Sequence, residues 1–155
     1  MKVTFKKFED SHQGQIEEMF WALPREDAGE KPRTKEAINT LFSHLRQASD
    51  VELFVAEIDG NLVGYALLVL CFSFEFGGYL GMIDELYISP LFRNQGIGKA
   101  FIHHLENRAK EKNCVAMFLV VTEKNKKVEE LYKKLHYTAL NRTEFIKPLS
   151  YPPTR

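Results

Sequence analysis

Residues 88–100 read Ile88-Ser89-Pro90-Leu91-Phe92-Arg93-Asn94-Gln95-Gly96-Ile97-Gly98-Lys99-Ala100. The pattern indicates the end of a strand, a short loop with two glycines and the start of a helix near Ile97. Gly96 and Gly98 let backbone N–H groups turn toward a bulky anion, and the helix N-terminus adds partial positive charge. Arg93 and Lys99 reinforce this field. The stretch therefore predicts an anion site, with an ordinary strand-to-helix loop as the alternative.

Two familiar phosphate-binding loops do not fit this stretch. Phe101 stands where a dinucleotide-binding fingerprint needs its third small residue. Ala100 follows Gly98-Lys99 where a P-loop needs Ser or Thr. The sequence therefore excludes a Rossmann enzyme and a P-loop NTPase as explanations of the glycines.

The residues before the loop predict an antiparallel sheet. A first strand, about Lys2 to Phe8, precedes two amphipathic helices. Alternating residues from Val51 lead to the turn Asp59-Gly60, and Leu62 to Phe76 and Tyr79 to Ser89 follow as strands. The two helices are marked by apolar stripes at helical spacing: Ile16, Met19, Phe20 and Leu23, then Ile38, Leu41, Phe42 and Leu45.

The residues after the loop predict a change to a strand-helix alternation. A helix from Ile97 is followed by an apolar strand, Cys114 to Val121, a helix from Val128 to Leu135 and a closing strand, Tyr137 to Leu149. A strand, crossover helix and apolar strand make a parallel pair buried on both faces. The predicted fold class is α/β (α+β): a central mixed, mostly antiparallel sheet with about four helices in one domain, residues 1–155, ending in a loose tail.

The charge balance argues against binding of nucleic acid or of an anionic membrane surface. Lys+Arg and Asp+Glu both number 21, so any anion site must be local. The N-terminus lacks the apolar run of a signal peptide, and the longest apolar stretch, Tyr65 to Phe72, is too short to cross a bilayer. We therefore expect a cytoplasmic protein with no membrane partner.

The cysteines and histidines predict no metal centre. Cys71 and Cys114 lie in apolar runs and are expected to be buried thiols, outside any disulfide framework or zinc site. The histidines lack metal-ligand spacing and are expected on the surface or on helix faces: His12, His44, His103, His104 and His136.

A second segment follows the apolar strand and reads Asn125-Lys126-Lys127-Val128-Glu129-Glu130-Leu131-Tyr132-Lys133-Lys134-Leu135-His136-Tyr137. This segment resembles the second motif of the GNAT N-acetyltransferases: Asn, Tyr seven residues later, then Gly-Phe. Leu86-Tyr87-Ile88-Ser89-Pro90 with Arg93-x-x-Gly96-x-Gly98 resembles their acyl-CoA-binding motif. The resemblance is specific over about Tyr79 to Tyr137, and it departs from the family at His136, where the family has Gly.

The resemblance implies acetyl-CoA as the acetyl donor and a parallel pair of strands that splay apart. It places the pyrophosphate of the cofactor at Arg93, Asn94, Gln95, Gly96, Ile97, Gly98 and Lys99. It implies a bulge near Leu86, Tyr87 and Ile88, whose N–H groups pair with pantetheine and polarise the thioester. Asn125 is implied to bind the pantetheine arm, and Tyr132 to be the general acid for the CoA sulfur; from the pattern alone, Tyr132 reads as one more apolar-stripe residue.

Two adjacent carboxylates interrupt the apolar strand before the loop. Asp84 and Glu85 point to opposite faces unless a bulge intervenes. An alkyl amine must lose a proton before it attacks, so a base is needed. We favour Glu85 as that base, directly or through water, with Asp84 and Glu85 both attracting a cationic substrate. A solvent-facing pair is the alternative.

The acceptor amine is less well defined. Gly64 to Phe74 and Ile83 to Ile88 resemble the spermidine/spermine acetyltransferase branch, which implies a polyamine or related small amine. Trp21 lies off the first helix stripe and is expected to wall an amine pocket or contact a partner subunit in a homodimer. Three further acidic residues have two interpretations: Glu75, Glu26 and Asp27. They extend an acidic cleft, or they are solvated loop charges, which is the interpretation we favour.

Other functions remain open on the sequence alone. Within the same enzyme class, the acceptor is alternatively an amino acid, an aminoglycoside, or a protein lysine or N-terminus. From a different class, the chain is alternatively a non-catalytic acyl-CoA-binding module, which would keep the Gly96 and Gly98 loop without turnover. The presence of Tyr132 argues against that module.

Overall fold

The computed structural model describes residues 2–23, 34–122, 125–145 and 147. The chain divides into two compact units, Met1–Val120 and Val121–Arg155. In the described ranges, the first unit holds a sheet of five strands: β1 (Thr4–Lys7), β2 (Val51–Ile58), β3 (Asn61–Ser73), β4 (Gly78–Ile88) and β5 (Ala116–Leu119). Its helices are α1 (Gln13–Ala22), α2 (Lys35–Gln47) and α3 (Ile97–Glu111), with short 3-10 turns at Asp10–His12 and Pro90–Phe92. The second unit holds α4 (Lys126–Lys134).

The sheet has the order β1-β2-β3-β4-β5. The strands β1 to β4 pair antiparallel with their neighbours, and β4 pairs with β5 in parallel. The predicted mixed sheet, antiparallel first and parallel later, is confirmed. The turn between β2 and β3 forms at Asp59 and Gly60, with φ of 50° and 81°, since an Asp-Gly pair accepts the left-handed conformations that a tight hairpin needs.

One face of the sheet packs against α1 and α2. Its apolar cluster takes alternate residues of the strands and the inner stripes of both helices. The buried members are Ile16, Met19, Ile38, Phe42, Leu53, Val55, Tyr65, Leu67 and Tyr87. The helix stripes predicted from 3.6-residue spacing therefore form this half of the core.

The opposite face packs against α3, whose Phe101, Ile102 and Leu105 are at most 1% exposed. Gly81 on β4 allows this close approach, since a Cβ there would lie 3.0 Å from the Cβ of Ala109 and 2.9 Å from the Sδ of Met117. A side chain at Gly81 would therefore require its neighbours, Met117 and Ala109, to shift.

The carboxylate of Glu52 binds α3 to β2. Glu52 is 3% exposed, and Arg108 donates from Nε to Oε2 at 2.6 Å and from Nη2 to Oε1 at 2.7 Å. Lys7 on β1 and Lys112 beyond α3 lie 3.2 and 3.5 Å from Oε1. The hydrogen bond from Arg108 is the main reason that the pKa of Glu52 falls to about 2.

Several sequence expectations differ from the structure. The strand β3 ends at Ser73, before Phe76, because residues 74–77 form the turn to β4. The four residues of β5 are half-buried instead of fully buried, since β5 is the last strand of the sheet. The closing strand at Tyr137 to Leu149 does not form over residues 137–145, which carry no strand.

The environments of the two cysteines also differ from expectation. Cys71, near the end of β3, is exposed and Cys114 is half-buried, and both thiols are free. His104 lies on a helix face, in α3, as expected. It is half-buried, with its ring 5.3 Å from that of Phe5 and 5.1 Å from that of Phe54, and burial lowers its pKa. In the described ranges, no helix has the length and apolar character needed to span a membrane.

Candidate functional site

A bulge in β4 sets the orientation of the two adjacent carboxylates. Glu85 pairs with Leu67 and Ile83 with Leu68, so Asp84 is the extra residue between them. The strand thus carries the bulge that the resemblance implies, but at Asp84, before the residues 86–88 near which it is expected. Those three residues continue in register with Ala66, Tyr65 and Gly64 of β3.

The consequence of the bulge is that Glu85 faces the same side as α1 and α2. Its cross-strand partner Leu67 belongs to that core cluster, and directly paired residues share a face. Glu85 is half-buried, whereas Asp84 is exposed. The hydroxyl of Tyr65, 3% exposed, donates a hydrogen bond to Oε1 of Glu85. Glu85 is thus a carboxylate in a partly apolar setting with one of its oxygens held.

The strand β4 runs beyond its parallel neighbour. The last pair between β4 and β5 is Ile83 with Leu119, whereas β4 continues to Ile88. Residues 84–88 of β4 therefore extend beyond its paired length with β5. A strand edge of this kind presents backbone N–H and C=O groups that a ligand can pair with.

The loop after β4 has the backbone of an anion-binding turn. Asn94 and Gly96 adopt left-handed conformations, with φ of 60° and 80°, and Gly96 is the N-cap of α3. Residues 93–96 are exposed, and no acidic residue lies in the first turn of α3. Left-handed residues followed by a helix start direct successive N–H groups to one point, which suits a negative charge.

Arg93 connects this loop to the end of β4. Its Nε donates to the carbonyl oxygen of Ile88 at 2.7 Å, and its guanidinium carbon lies 5.5 Å from the centre of the Tyr87 ring. Gln95 also braces the loop, because its Nε2 donates to the carbonyl of Leu91 at 3.0 Å. These contacts hold the arginine beside the loop, where its charge adds to that of the helix N-terminus.

The second unit carries the other two residues of interest, Asn125 and Tyr132. Asn125 is the N-cap residue of α4. Its backbone carbonyl accepts hydrogen bonds from the N–H groups of Val128 and Glu129, and its side chain makes no capping hydrogen bond. The Tyr132 ring lies 5.3 Å from that of Tyr137 in an edge contact. Burial raises the pKa of Tyr132, so its phenol keeps its proton at neutral pH.

His136 occupies a left-handed position after α4, with φ of 66°. Glycine adopts this conformation without strain, whereas a side chain costs roughly 1 kcal/mol. The N–H of Tyr137 still bonds to the carbonyl of Tyr132 at 3.0 Å. The turn therefore keeps its geometry with histidine in place of the glycine typical of the motif.

Residues 14–137 match the acetyltransferase (GNAT) family. The chain belongs to this family. A thialysine N-epsilon-acetyltransferase from Mus musculus is 33% identical over 135 residues, which are 86% of this chain and 72% of the mouse protein. An acetyltransferase from Pectobacterium atrosepticum is 34% identical over 96 residues, which are 59% of this chain and 62% of that protein. The chain thus spans less than two thirds of the bacterial relative.

A solved structure shows the same fold. An aminoglycoside N-acetyltransferase in complex with CoA superposes with a TM-score of 0.80, covering 96% of each chain, at 17% identity. The match confirms the GNAT fold of this chain: the mixed sheet with one parallel pair, flanked by helices. The sequence interpretation of the family is confirmed as well.

The remaining predicted residues of this GNAT chain lie outside the loop and β4. Trp21 is 37% exposed and packs edge-on against Phe20 at 5.2 Å, while Phe20 contacts the core cluster. Glu75 is exposed in the β3–β4 turn, and Glu26 and Asp27 lie outside the described residues. Across those residues, no group of three or more His, Cys, Asp or Glu side chains is arranged to hold a metal ion.

Sequence reasoning missed Tyr65 as a member of this site. It was one residue in an apolar strand, and no motif marked it. Part of the signal was present in the sequence, because Tyr65 lies on one predicted strand and Glu85 and Tyr87 lie on the next, joined to it by a predicted turn. The register was needed to see that Tyr65 and Glu85 share a face.

Proposed function

We propose that the chain is an acetyl-CoA-dependent N-acetyltransferase that transfers the acetyl group to a primary amine of a small cationic acceptor, such as a polyamine. The observation that supports this most directly is the end of β4. There, a half-buried carboxylate at Glu85 lies on a strand that continues past its last pair with β5, at Ile83, and leads into the loop of Arg93 to Gly98. A base for the amine and an anion site for the donor are thereby carried by one strand.

The residues of the first unit fit the donor. The left-handed backbone at Asn94 and Gly96, with Lys99 in the first turn of α3, suits a pyrophosphate. The stretch Leu86 to Ile88, which lies beyond the paired length of β5, suits the amide groups of pantetheine. We assign Asn125 to the pantetheine arm from its place in the second motif. When bound, acetyl-CoA supplies the acetyl thioester and a thiolate leaving group.

Glu85 serves as the base in this proposal. An alkyl amine is protonated at neutral pH and has no lone pair for attack until it loses a proton. Glu85 takes that proton, directly or through a water molecule, and the neutral amine attacks the thioester carbonyl directly. Backbone N–H groups in the part of β4 beyond Ile83 stabilise the developing negative charge on the carbonyl oxygen. Asp84, exposed at the bulge, adds attraction for a cationic acceptor.

Tyr132 serves as the acid. Its phenol gives a proton to the departing sulfur and must therefore be protonated before the reaction. The raised pKa of Tyr132, caused by burial, favours that state. The support for the role is its place in the second motif, seven residues after Asn125.

A screen of amines with acetyl-CoA tests the proposed function. The panel contains spermidine, putrescine, thialysine, lysine, an aminoglycoside and a peptide with a free N-terminus, and the release of CoA thiol is followed. We expect the highest kcat/KM with a small diamine or polyamine. Thialysine belongs in the panel because the mouse relative is named for its ε-amine.

Each other outcome of the screen has a defined meaning. Faster turnover of the aminoglycoside or the peptide would overturn the small-amine acceptor while keeping the enzyme class. Acetyl-CoA binding without turnover on any amine would favour an acyl-CoA-binding module and would overturn the enzyme proposal.

The loop assignment predicts that Gly96→Val weakens acetyl-CoA binding by about tenfold or more. The backbone at Gly96 is left-handed, and a β-branched side chain on an anion-binding turn blocks the approach of the phosphate groups. Isothermal titration with acetyl-CoA measures the change in Kd.

Gly60→Val is the matched control. Gly60 in the β2–β3 turn has a φ of 81°, against 80° at Gly96, and neither position has a heavy atom within 4 Å of an added Cβ. The two variants therefore share the same backbone strain. Equal losses of affinity in both would assign the effect to strain and remove the pyrophosphate from this loop.

A further inference from the structure

The hydrogen bond between Tyr65 and Glu85 crosses adjacent strands on a diagonal. Tyr65 pairs with Tyr87, and Glu85 pairs with Leu67. Residues in such diagonal positions on one face are within reach of long side chains. The hydroxyl of Tyr65 reaches Oε1 of Glu85 in this way. The contact exists because the bulge at Asp84 turns Glu85 to this face.

The position of the Tyr65 hydroxyl is fixed by the core. The side chain is 3% exposed, and its ring stacks on that of Tyr87 with centroids 5.8 Å apart and planes inclined by 29°. It belongs to the apolar cluster that α1 and α2 cover. A half-buried carboxylate is therefore held by a donor that has little freedom to move.

We propose that Tyr65 is a positioning residue for the transfer reaction, orienting the Glu85 carboxylate to receive the proton of the acceptor amine. This inference rests on the proposed function, in which Glu85 is the base. The proton passes from the ammonium nitrogen to the Glu85 carboxylate, directly or through water, and Tyr65 keeps its own proton throughout. A base oriented before the substrate arrives loses less entropy in the reaction.

Tyr65→Phe removes the hydroxyl and keeps the stacked ring. We expect kcat to fall about tenfold with the best amine of the screen, the scale of one hydrogen bond to a charged group. The KM for acetyl-CoA should not change, because the loop of residues 93–98 is untouched. Tyr79→Phe, the same substitution at a half-exposed site on β4, should leave kcat unchanged. Equal rates in wild type and Tyr65→Phe would overturn the proposal.

A double-mutant cycle separates positioning from a general loss of packing. If Tyr65 acts through Glu85, then Tyr65→Phe slows the wild type but has almost no further effect in Glu85→Gln. Independent, multiplicative losses would overturn the proposal. Full activity of Glu85→Gln would instead refute Glu85 as the base, a failure of the proposed function that the cycle distinguishes from a failure at Tyr65.

A spectroscopic test needs no substrate. With glutamate labelled at Cδ with carbon-13, the Glu85 resonance is the one that is missing in Glu85→Gln. We expect its chemical shift to change in Tyr65→Phe and to stay in place in Tyr79→Phe. An unchanged resonance in Tyr65→Phe would show that the hydroxyl does not hold the carboxylate, whatever the amine screen finds.

Discussion

Glu52→Gln is expected to lower the free energy of unfolding by about 3–5 kcal/mol, the cost of removing one partner from a buried ion pair. The substitution leaves the guanidinium of Arg108, which now donates two hydrogen bonds to Glu52, without a carboxylate partner there. It also removes the anion that faces Lys7 and Lys112. Urea unfolding followed by circular dichroism measures the change.

Glu57→Gln on the same strand is the matched control. Glu57 pairs with Lys6 at 2.9 Å, but the lysine is 51% exposed and the glutamate 19% exposed. Ion pairs at the surface contribute about 1 kcal/mol or less, so this variant should stay close to the wild type. A loss for Glu52→Gln as small as that for Glu57→Gln would show that α3 does not depend on the buried carboxylate.

The same ion pair predicts how stability depends on acid. The pKa of Glu52 is about 2 in the folded chain, against an ordinary value of 4.5. The unfolded chain therefore binds this proton more readily, and the stabilisation is fully present above pH 4.5 and is lost as the pH falls toward 2. The shift corresponds to about 3 kcal/mol. The gap between wild type and Glu52→Gln should thus narrow in acid.

Much of the sheet was predictable because its strands carry local signals. Two strand boundaries are marked by residues next to them in the sequence: the Asp59-Gly60 turn ends β2, and Pro90 follows the end of β4. The helix from Ile97 follows from its apolar spacing. The strand expected at Tyr137 to Leu149 had no such turn signal, and residues 137–145 carry no strand. A short apolar alternation becomes a strand only if a neighbour supplies hydrogen bonds.

The candidate site was predictable where a motif fixed it and not where register fixed it. The loop from Arg93 to Gly98 was identified from two glycines and a helix start, and its backbone has the left-handed residues that the interpretation needed. The resemblance implies a bulge near Leu86 to Ile88, and only the strand pairing locates it at Asp84. A one-residue change of register moves side chains to the other face, so the partner of Glu85 required the observed pairing.

Glu52 illustrates a further limit of sequence reasoning. It alternates with apolar residues in β2, where a solvated charge is the ordinary interpretation. Its burial depends on Arg108, which lies 56 residues later in the chain. Since the loop of residues 93–98 leads into the N-terminus of α3, the ion pair near the C-terminal end of α3 supports the site from a distance.

The cytoplasmic location and the homodimer stay predictions.

Tyr132→Phe is expected to lower kcat by about 10²-fold or more, the usual effect of losing a general acid. The substitution removes only the hydroxyl group, so the ring stays in its edge contact with Tyr137. The affinity for acetyl-CoA should change little, because the proton is needed only when the thiolate departs. Steady-state kinetics and titration calorimetry measure the two quantities.

Tyr137→Phe is the control for this variant, since it removes a hydroxyl from the neighbouring ring and restores the phenylalanine of the family motif. It should keep its turnover.

The pH profile adds an independent check: an acid works only while it is protonated, so wild-type kcat falls as the pH rises through the pKa of Tyr132. Burial raises that pKa, which moves the fall to a higher pH than an ordinary phenol would give. Unchanged turnover in Tyr132→Phe, or an equal loss in Tyr137→Phe, would remove Tyr132 from the role of acid and leave the thiolate to depart unprotonated or to take its proton from water.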